Sequence, residues 1–233
     1  VKKFYQVTKE IAIKFDRIFG TRFKEGGGRI YRYILRILSP VRRILDPAYI
    51  RFCYKIGIKH PEDLCLHLGC GWKHFDGYVN VDLRITDATD VICSITDLPW
   101  PDNSVAVIES YHVIEHISHK KIKRTLAEWY RVLKPQGKLV LECPNFDIAV
   151  QEYLAGNEGR LINIFGKQRL HGDYHLYGFN PLRLTRLLEE IGFKNIQESI
   201  PQSSQSFDEP SFRIECEKRL WQKSNNFGKK YFR

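Results

Sequence analysis

A chain of 233 residues, 43% hydrophobic and 27% charged, is long enough to bury the core of one α/β domain with a modest extension and leaves no room for a second large one. Six cysteines with no C-x-x-C pair argue against a disulfide framework, so buried free thiols in a reducing compartment are expected. The net charge of +10 is concentrated: residues 1–60 carry 15 Lys and Arg against four Asp and Glu, and the remainder carries 22 against 23.

No run approaches the roughly 20 apolar residues of a membrane span, and Val1-Lys2-Lys3-Phe4 lacks the apolar core of a signal peptide. A cytoplasmic protein, soluble or peripheral to the inner face of a membrane, is the expectation. In chain order, residues 1–25 form an approximate helical stripe through Phe4, Ile11, Phe15 and Ile18, and Gly26 to Gly28 read as a linker. From Arg29 to Leu38 an amphipathic basic helix is expected, with Ile30, Tyr33, Ile34 and Ile37 on one face and Arg29, Arg32 and Arg36 on another. Pro40 and Pro47 break it and frame a second short helical piece.

Leu64 to Leu68 reads as a buried strand and Tyr78 to Asp82 as a second, with room between them for only a truncated helix. Val91 to Ile95 and Val105 to Tyr111 follow as strands. Ser118 caps a helix to Leu133 that Pro135 and Gly137 end, and Leu139 to Cys143 is a fifth strand. Phe146 to Phe165 is a helical insertion, Gly166 to Asn180 an irregular polar loop, and Pro181 to Ile191 a helix stopped by Gly192. Phe193 to Ser199 and Phe212 to Glu217 close the pattern. Alternating strands and helices imply a mostly parallel sheet covered on both faces. The domains expected are a basic helical extension over 1–59, an α/β domain over 60–217 and a basic tail over 218–233.

The turn Gly69-Cys70-Gly71 lets the backbone approach a ligand that a Cβ would block, and Asp82, at the end of the second strand, suits ribose hydroxyls. A G-x-G-x-x-G fingerprint would need glycine at position 74, where His74 stands, which argues against a dinucleotide. In open α/β sheets the ligand lies beyond the carboxyl ends of the strands, so Gly69 to Gly71, Asp82, Asp97 and Ser110 to His112 should surround one cleft.

Four blocks carry a resemblance: Leu66 to Gly71; Gly77 to Leu83; Asp97 to Ser104 with His112-Val113-Ile114-Glu115-His116; and Glu128 to Leu139. Over roughly residues 60 to 200 the chain resembles the class I S-adenosylmethionine-dependent methyltransferases of the type 11-like group. The resemblance implies a Rossmann-like methyltransferase fold whose seven-stranded sheet has an antiparallel last strand, and S-adenosylmethionine as cofactor. It implies that Leu68, Gly69, Cys70 and Gly71 pass the methionine part, that Asp82 with Leu83 meets the ribose, that Asp97 with Leu98 borders the adenine, and that Ser110 lines the cleft. His67 stands where many relatives carry an acid that helps hold the cofactor's ammonium, and Lys73 where many have a third glycine, so modest affinity is expected.

His112, His171 and His175 are the candidates for acceptor binding or proton transfer, and His116 either joins them or caps the next helix. The spacing His171-x-Asp173-x-His175 matches no standard zinc set, and no metal is expected. The implied activity is methylation of a small molecule or glycan, with O-methylation of a sugar as the first expectation; a degenerate fold serving as a membrane- or partner-binding module is the alternative. Residues 29–55 suit an anionic membrane surface, RNA, or simple packing on the core, and no RNA-binding signature appears.

Overall fold

The computed structural model describes residues 42–57, 63–170, 172–203 and 209–220. Its strands are β1 (Cys65–Leu68), β2 (Val79–Asp82), β3 (Val91–Ile92), β4 (Val105–Tyr111), β5 (Leu133–Pro144), β6 (Phe193–Ser199) and β7 (Ser211–Lys218). The helices are α1 (residues 42–55), α2 (His119–Val132), α3 (Phe146–Leu154), α4 (Leu161–Phe165) and α5 (Pro181–Ile191).

The strands form one seven-stranded sheet in the order β3-β2-β1-β4-β5-β7-β6. Every pairing is parallel except those of β7, which runs antiparallel to β5 and β6. The order reverses between β1 and β4, and the carboxyl ends of those two strands therefore open a crevice. α2 buries Ile122, Leu126, Trp129 and Val132 at three- and four-residue steps, and α5 buries Leu184 and Leu188. These side chains join Leu66, Leu68, Ile108, Leu139 and Leu141 of the central strands in one core. Asn180 caps α5 by accepting the Arg183 N–H, and Gly192 ends it in the left-handed region at φ +117°.

Several local expectations change. The helix α1 runs straight through Pro47. Burial of Ile50 and Cys53 in the core offsets the backbone bond that proline forfeits. Asp46 also takes the Ile92 N–H at 3.0 Å, and Arg42 bonds the Asp90 carbonyl at 2.9 Å, so α1 covers the edge strand β3. No helix forms between β1 and β2. The backbone N–H and carbonyl of Phe75 are both committed to the Asn80 side chain, at 2.9 and 3.1 Å, which fixes this stretch as turns. β3 stops at Ile92, because Ser94 and Thr96 bond each other in a turn. β5 starts at Leu133, directly after α2, and 134–137 loop out where the register with β4 slips between Val105 and Val107. Ser118 precedes α2 without a side-chain cap; its carbonyl accepts from Lys121 and Ile122 instead.

Candidate functional site

Gly69 and Gly71 follow β1 with φ of +71° and +55°, where a Cβ is strained. A Cβ on Gly69 would collide with the Val113 side chain, so the connection after β4 presses on this turn; a Cβ on Gly71 would meet nothing within 4 Å. Asp82, 6% exposed, accepts the Gly71 N–H at 2.9 Å through Oδ2 and the Arg84 N–H at 2.8 Å through Oδ1. One carboxylate thus ties the glycine turn to the end of β2. The Cys70 thiol faces Thr89 and the Ala88 carbonyl, and burial pushes it up to about 12, which makes it an inert filler. Ser110, at the end of β4, is buried and donates to the Leu68 carbonyl at 3.1 Å.

Across the crevice, His112 sits at φ +53°, an uncommon conformation for a residue with a Cβ, and its N–H bonds the Glu142 carbonyl at 2.8 Å. Its Nε2 lies 3.3 Å from Ser203 Oγ, and its Nδ1 lies 3.7 Å from Glu115 and 3.8 Å from Glu209. Burial lowers its pKa to about 4, so it is neutral near pH 7. Glu142 positions Ser203 by accepting the N–H groups of Gln202 and Ser203 at 2.9 and 3.0 Å, and Arg213 pairs with it at 3.1 Å. His175 reaches the same place from the loop after α4, its ring centroid 5.0 Å from that of His116. Burial lowers the pKa of both. Asp173 turns away to pair with Arg169 at 2.9 Å. The expectation for His171 falls outside the described residues.

A methyltransferase domain family matches residues 74–141. A "probable S-adenosylmethionine-dependent methyltransferase" of Mycolicibacterium smegmatis is 30% identical over 139 residues, which cover 60% of this chain and 43% of that protein. An uncharacterized protein of Methanocaldococcus jannaschii is 28% identical over 129 residues, covering 50% of this chain and 54% of its own length. The chain therefore spans about half of the curated relatives it matches. A crystal structure of a SAM-dependent methyltransferase from Thermotoga maritima shares the fold at a TM-score of 0.50 and 16% identity, over 83% of this chain and 98% of that one. The seven-stranded sheet has the Rossmann-like fold of the class I methyltransferases, and residues 74–141 are similar to their domain.

S-adenosylmethionine is the cofactor of this methyltransferase family, and several groups of the crevice fit it. Asp82 Oδ2 accepts one bond and keeps a lone pair for a ribose hydroxyl, while the turn at Gly71 faces open space. Leu83 is exposed beyond Asp82, and its carbonyl is held by Arg43 at 3.0 Å. The Asp97 carboxylate, 73% exposed, pairs with Arg51 of α1 at 2.9 Å, and Leu98 lies buried behind it. Both residues line a shallow cavity of about 420 Å³ with Pro99 and Arg131, and none of Gly69, Gly71, Asp82 or His112 lines it. His67 lies within β1 beside the glycine turn. It is buried, donates Nδ1–H to Asn80 Oδ1 at 3.0 Å, and stacks on Phe75 with centroids 4.0 Å apart. The buried imidazole thus holds the turn in shape.

Glu115, quoted above only as part of a motif, is a further candidate site residue. It is 2% exposed, neither carboxylate oxygen has a hydrogen-bond partner, and burial raises its pKa to about 8. The signal was present: an acid inside the apolar run Val113-Ile114-Glu115-His116-Ile117 is carried into the interior with its neighbours.

Proposed function

We propose that this protein transfers the methyl group of S-adenosylmethionine to a hydroxyl of a small molecule or glycan, a sugar hydroxyl being the first candidate. The observation that carries the reading is the brace from Asp82 to the Gly71 N–H at the β1/β4 crevice, opposite His112. The cofactor supplies a methyl sulfonium: the acceptor oxygen bonds to the methyl carbon as the carbon–sulfur bond breaks, and the acceptor proton leaves. Gly69, Cys70 and Gly71 border the methionine part with Leu68, Ser110 supporting them from below. Asp82 and Leu83 meet the ribose, and Asp97 and Leu98 the adenine. His112, neutral at pH 7, takes the acceptor proton, and His175 touches the acceptor from the loop. Their main contribution is alignment and exclusion of water.

The test is methyl-labelled S-adenosylmethionine with a panel of nucleotide sugars, glycans and small alcohols. Label transfer with matching release of S-adenosylhomocysteine, and a His112→Ala variant that loses turnover while keeping cofactor affinity, is the expected result. Intact cofactor binding with no transfer to any acceptor would favour a non-catalytic module.

A cytoplasmic setting belongs to the same proposal, supported by six free thiols. So does peripheral contact with an anionic membrane through residues 29–55. α1 and the turn after it leave Ile44, Leu45, Phe52 and Ile56 exposed, while Arg42, Arg43 and Arg51 bond to the domain. The described part therefore offers apolar insertion more than charge. Among the described residues no helix is long and apolar enough to cross a membrane.

A further inference from the structure

Three side chains beside the crevice meet in a way that methyl transfer does not require. Glu115, His116 and His175 each place one donor atom within 4.8 Å of the others. Glu115 and His116 come from the short turn after β4, and His175 comes from the loop after α4, so the chain brings them together across about 60 residues. The loop is held there by backbone bonds: the Glu115 carbonyl accepts the N–H groups of Leu176 and Tyr177 at 2.7 and 3.2 Å.

The imidazoles are oriented in the manner of metal ligands. His116 Nδ1 lies 2.9 Å from the Tyr174 carbonyl, and His175 Nδ1 lies 2.7 Å from the Asn163 carbonyl. A carbonyl only accepts, so both Nδ1 atoms carry the proton and both Nε2 atoms present a lone pair. Such a backbone bond on the far nitrogen fixes tautomer and ring orientation in metal-ligating histidines. The carboxylate is the second, independent observation. Glu115 is 2% exposed and neither of its oxygens has a hydrogen-bond partner, although His116 Nε2 stands 4.0 Å from Oε1. A buried carboxylate with no donor is costly, and a cation between it and two imidazole lone pairs removes that cost.

We infer that Glu115, His116 and His175 form a binding site for one divalent transition-metal ion. Two imidazoles and one carboxylate select the Mn–Zn series over Mg²⁺ and Ca²⁺, which favour all-oxygen shells. His112 and Glu209 stand in the ring of groups around the site, with Lys167 paired to Glu209 at 3.0 Å. If methyl transfer to oxygen is the reaction, an ion here would polarise the acceptor hydroxyl; that role rests on the proposed function, whereas the site itself does not.

The test uses the full chain, stripped with a chelator and titrated calorimetrically with Zn²⁺, Mn²⁺ and Mg²⁺, with Co²⁺ absorption as a probe of the ligand set. The expected result is one Zn²⁺ or Co²⁺ per chain, weak d–d bands without a thiolate charge-transfer band, and little Mg²⁺ binding. Glu115→Gln, His116→Gln and His175→Gln should each weaken Zn²⁺ by at least about tenfold. Absence of binding to the wild-type chain, a thiolate band, or unchanged affinity in the three variants would overturn the proposal. The wild-type spectrum decides the ligand type even where a variant does not fold. S-adenosylhomocysteine is titrated separately: metal binding without it would leave the metal site standing and remove the methyl-transfer reading, and the converse result would do the reverse.

Discussion

The two walls of the crevice are built on opposite principles. On the wall built by the ends of β1 and β2, the polar groups at the glycine turn already have partners: Asp82 holds Gly71 and Arg84, His67 holds Asn80, and Ser110 holds Leu68. On the wall that carries the histidines a buried carboxylate is without a donor, the Nδ1 atoms of His116 and His175 are bonded to backbone carbonyls, and His112 sits in a conformation that a side chain disfavours. The contrast separates preorganisation from reactivity. A fully bonded wall presents a fixed shape to a ligand, and a wall with unmet bonds is waiting for one.

Breaking the glycine-turn wall at its tightest point should have the largest effect. In Gly69→Ala the added Cβ meets Val113 at a left-handed φ of +71°. Left-handed strain and overpacking together should cost about 2–4 kcal/mol, read from the urea midpoint. Gly69→Ala with Val113→Ala should recover the overpacking share, and full stability of the single variant would mean the turn is looser than described. Next in size, Asp82→Ala should weaken S-adenosylhomocysteine binding about ten- to a hundredfold, since a bond to a charged group is worth about 1.5–3 kcal/mol. Unchanged affinity in calorimetry would remove Asp82 from the site.

A smaller effect separates shape from chemistry at His67. Burial lowers its pKa in the folded state, so between its unfolded value near 6.5 and its folded value the unfolded chain binds more protons. Its contribution to stability is complete above pH 6.5 and is lost as the pH falls. His67→Gln, which keeps a donor for Asn80 and does not titrate, should lose less stability than the wild type between pH 7.5 and 5. Equal losses would place the acid sensitivity elsewhere. Smallest of all, Arg51→Ala removes a largely exposed pair with Asp97 and should change stability by no more than about 0.5 kcal/mol.

The sheet was legible because each strand is a short apolar run and each turn carries its own punctuation; β4 and α5 have the bounds that pattern predicts. What was not legible depends on distant partners. The turns around Phe75 follow from Asn80, α1 continues past Pro47 because Asp46 meets β3, and β5 begins early because Leu133 pairs with Val105. The candidate site divides the same way. Its glycines and Asp82 stand out locally, while the meeting of Glu115 and His116 with His175 exists only after the loop has closed on β4.

The most direct test of the central claim is calorimetric titration of the purified chain with S-adenosylmethionine and S-adenosylhomocysteine, with NAD as control. One site per chain with micromolar affinity for both and no response to NAD is the expected result. Silence towards both, or a preference for NAD, would contradict it.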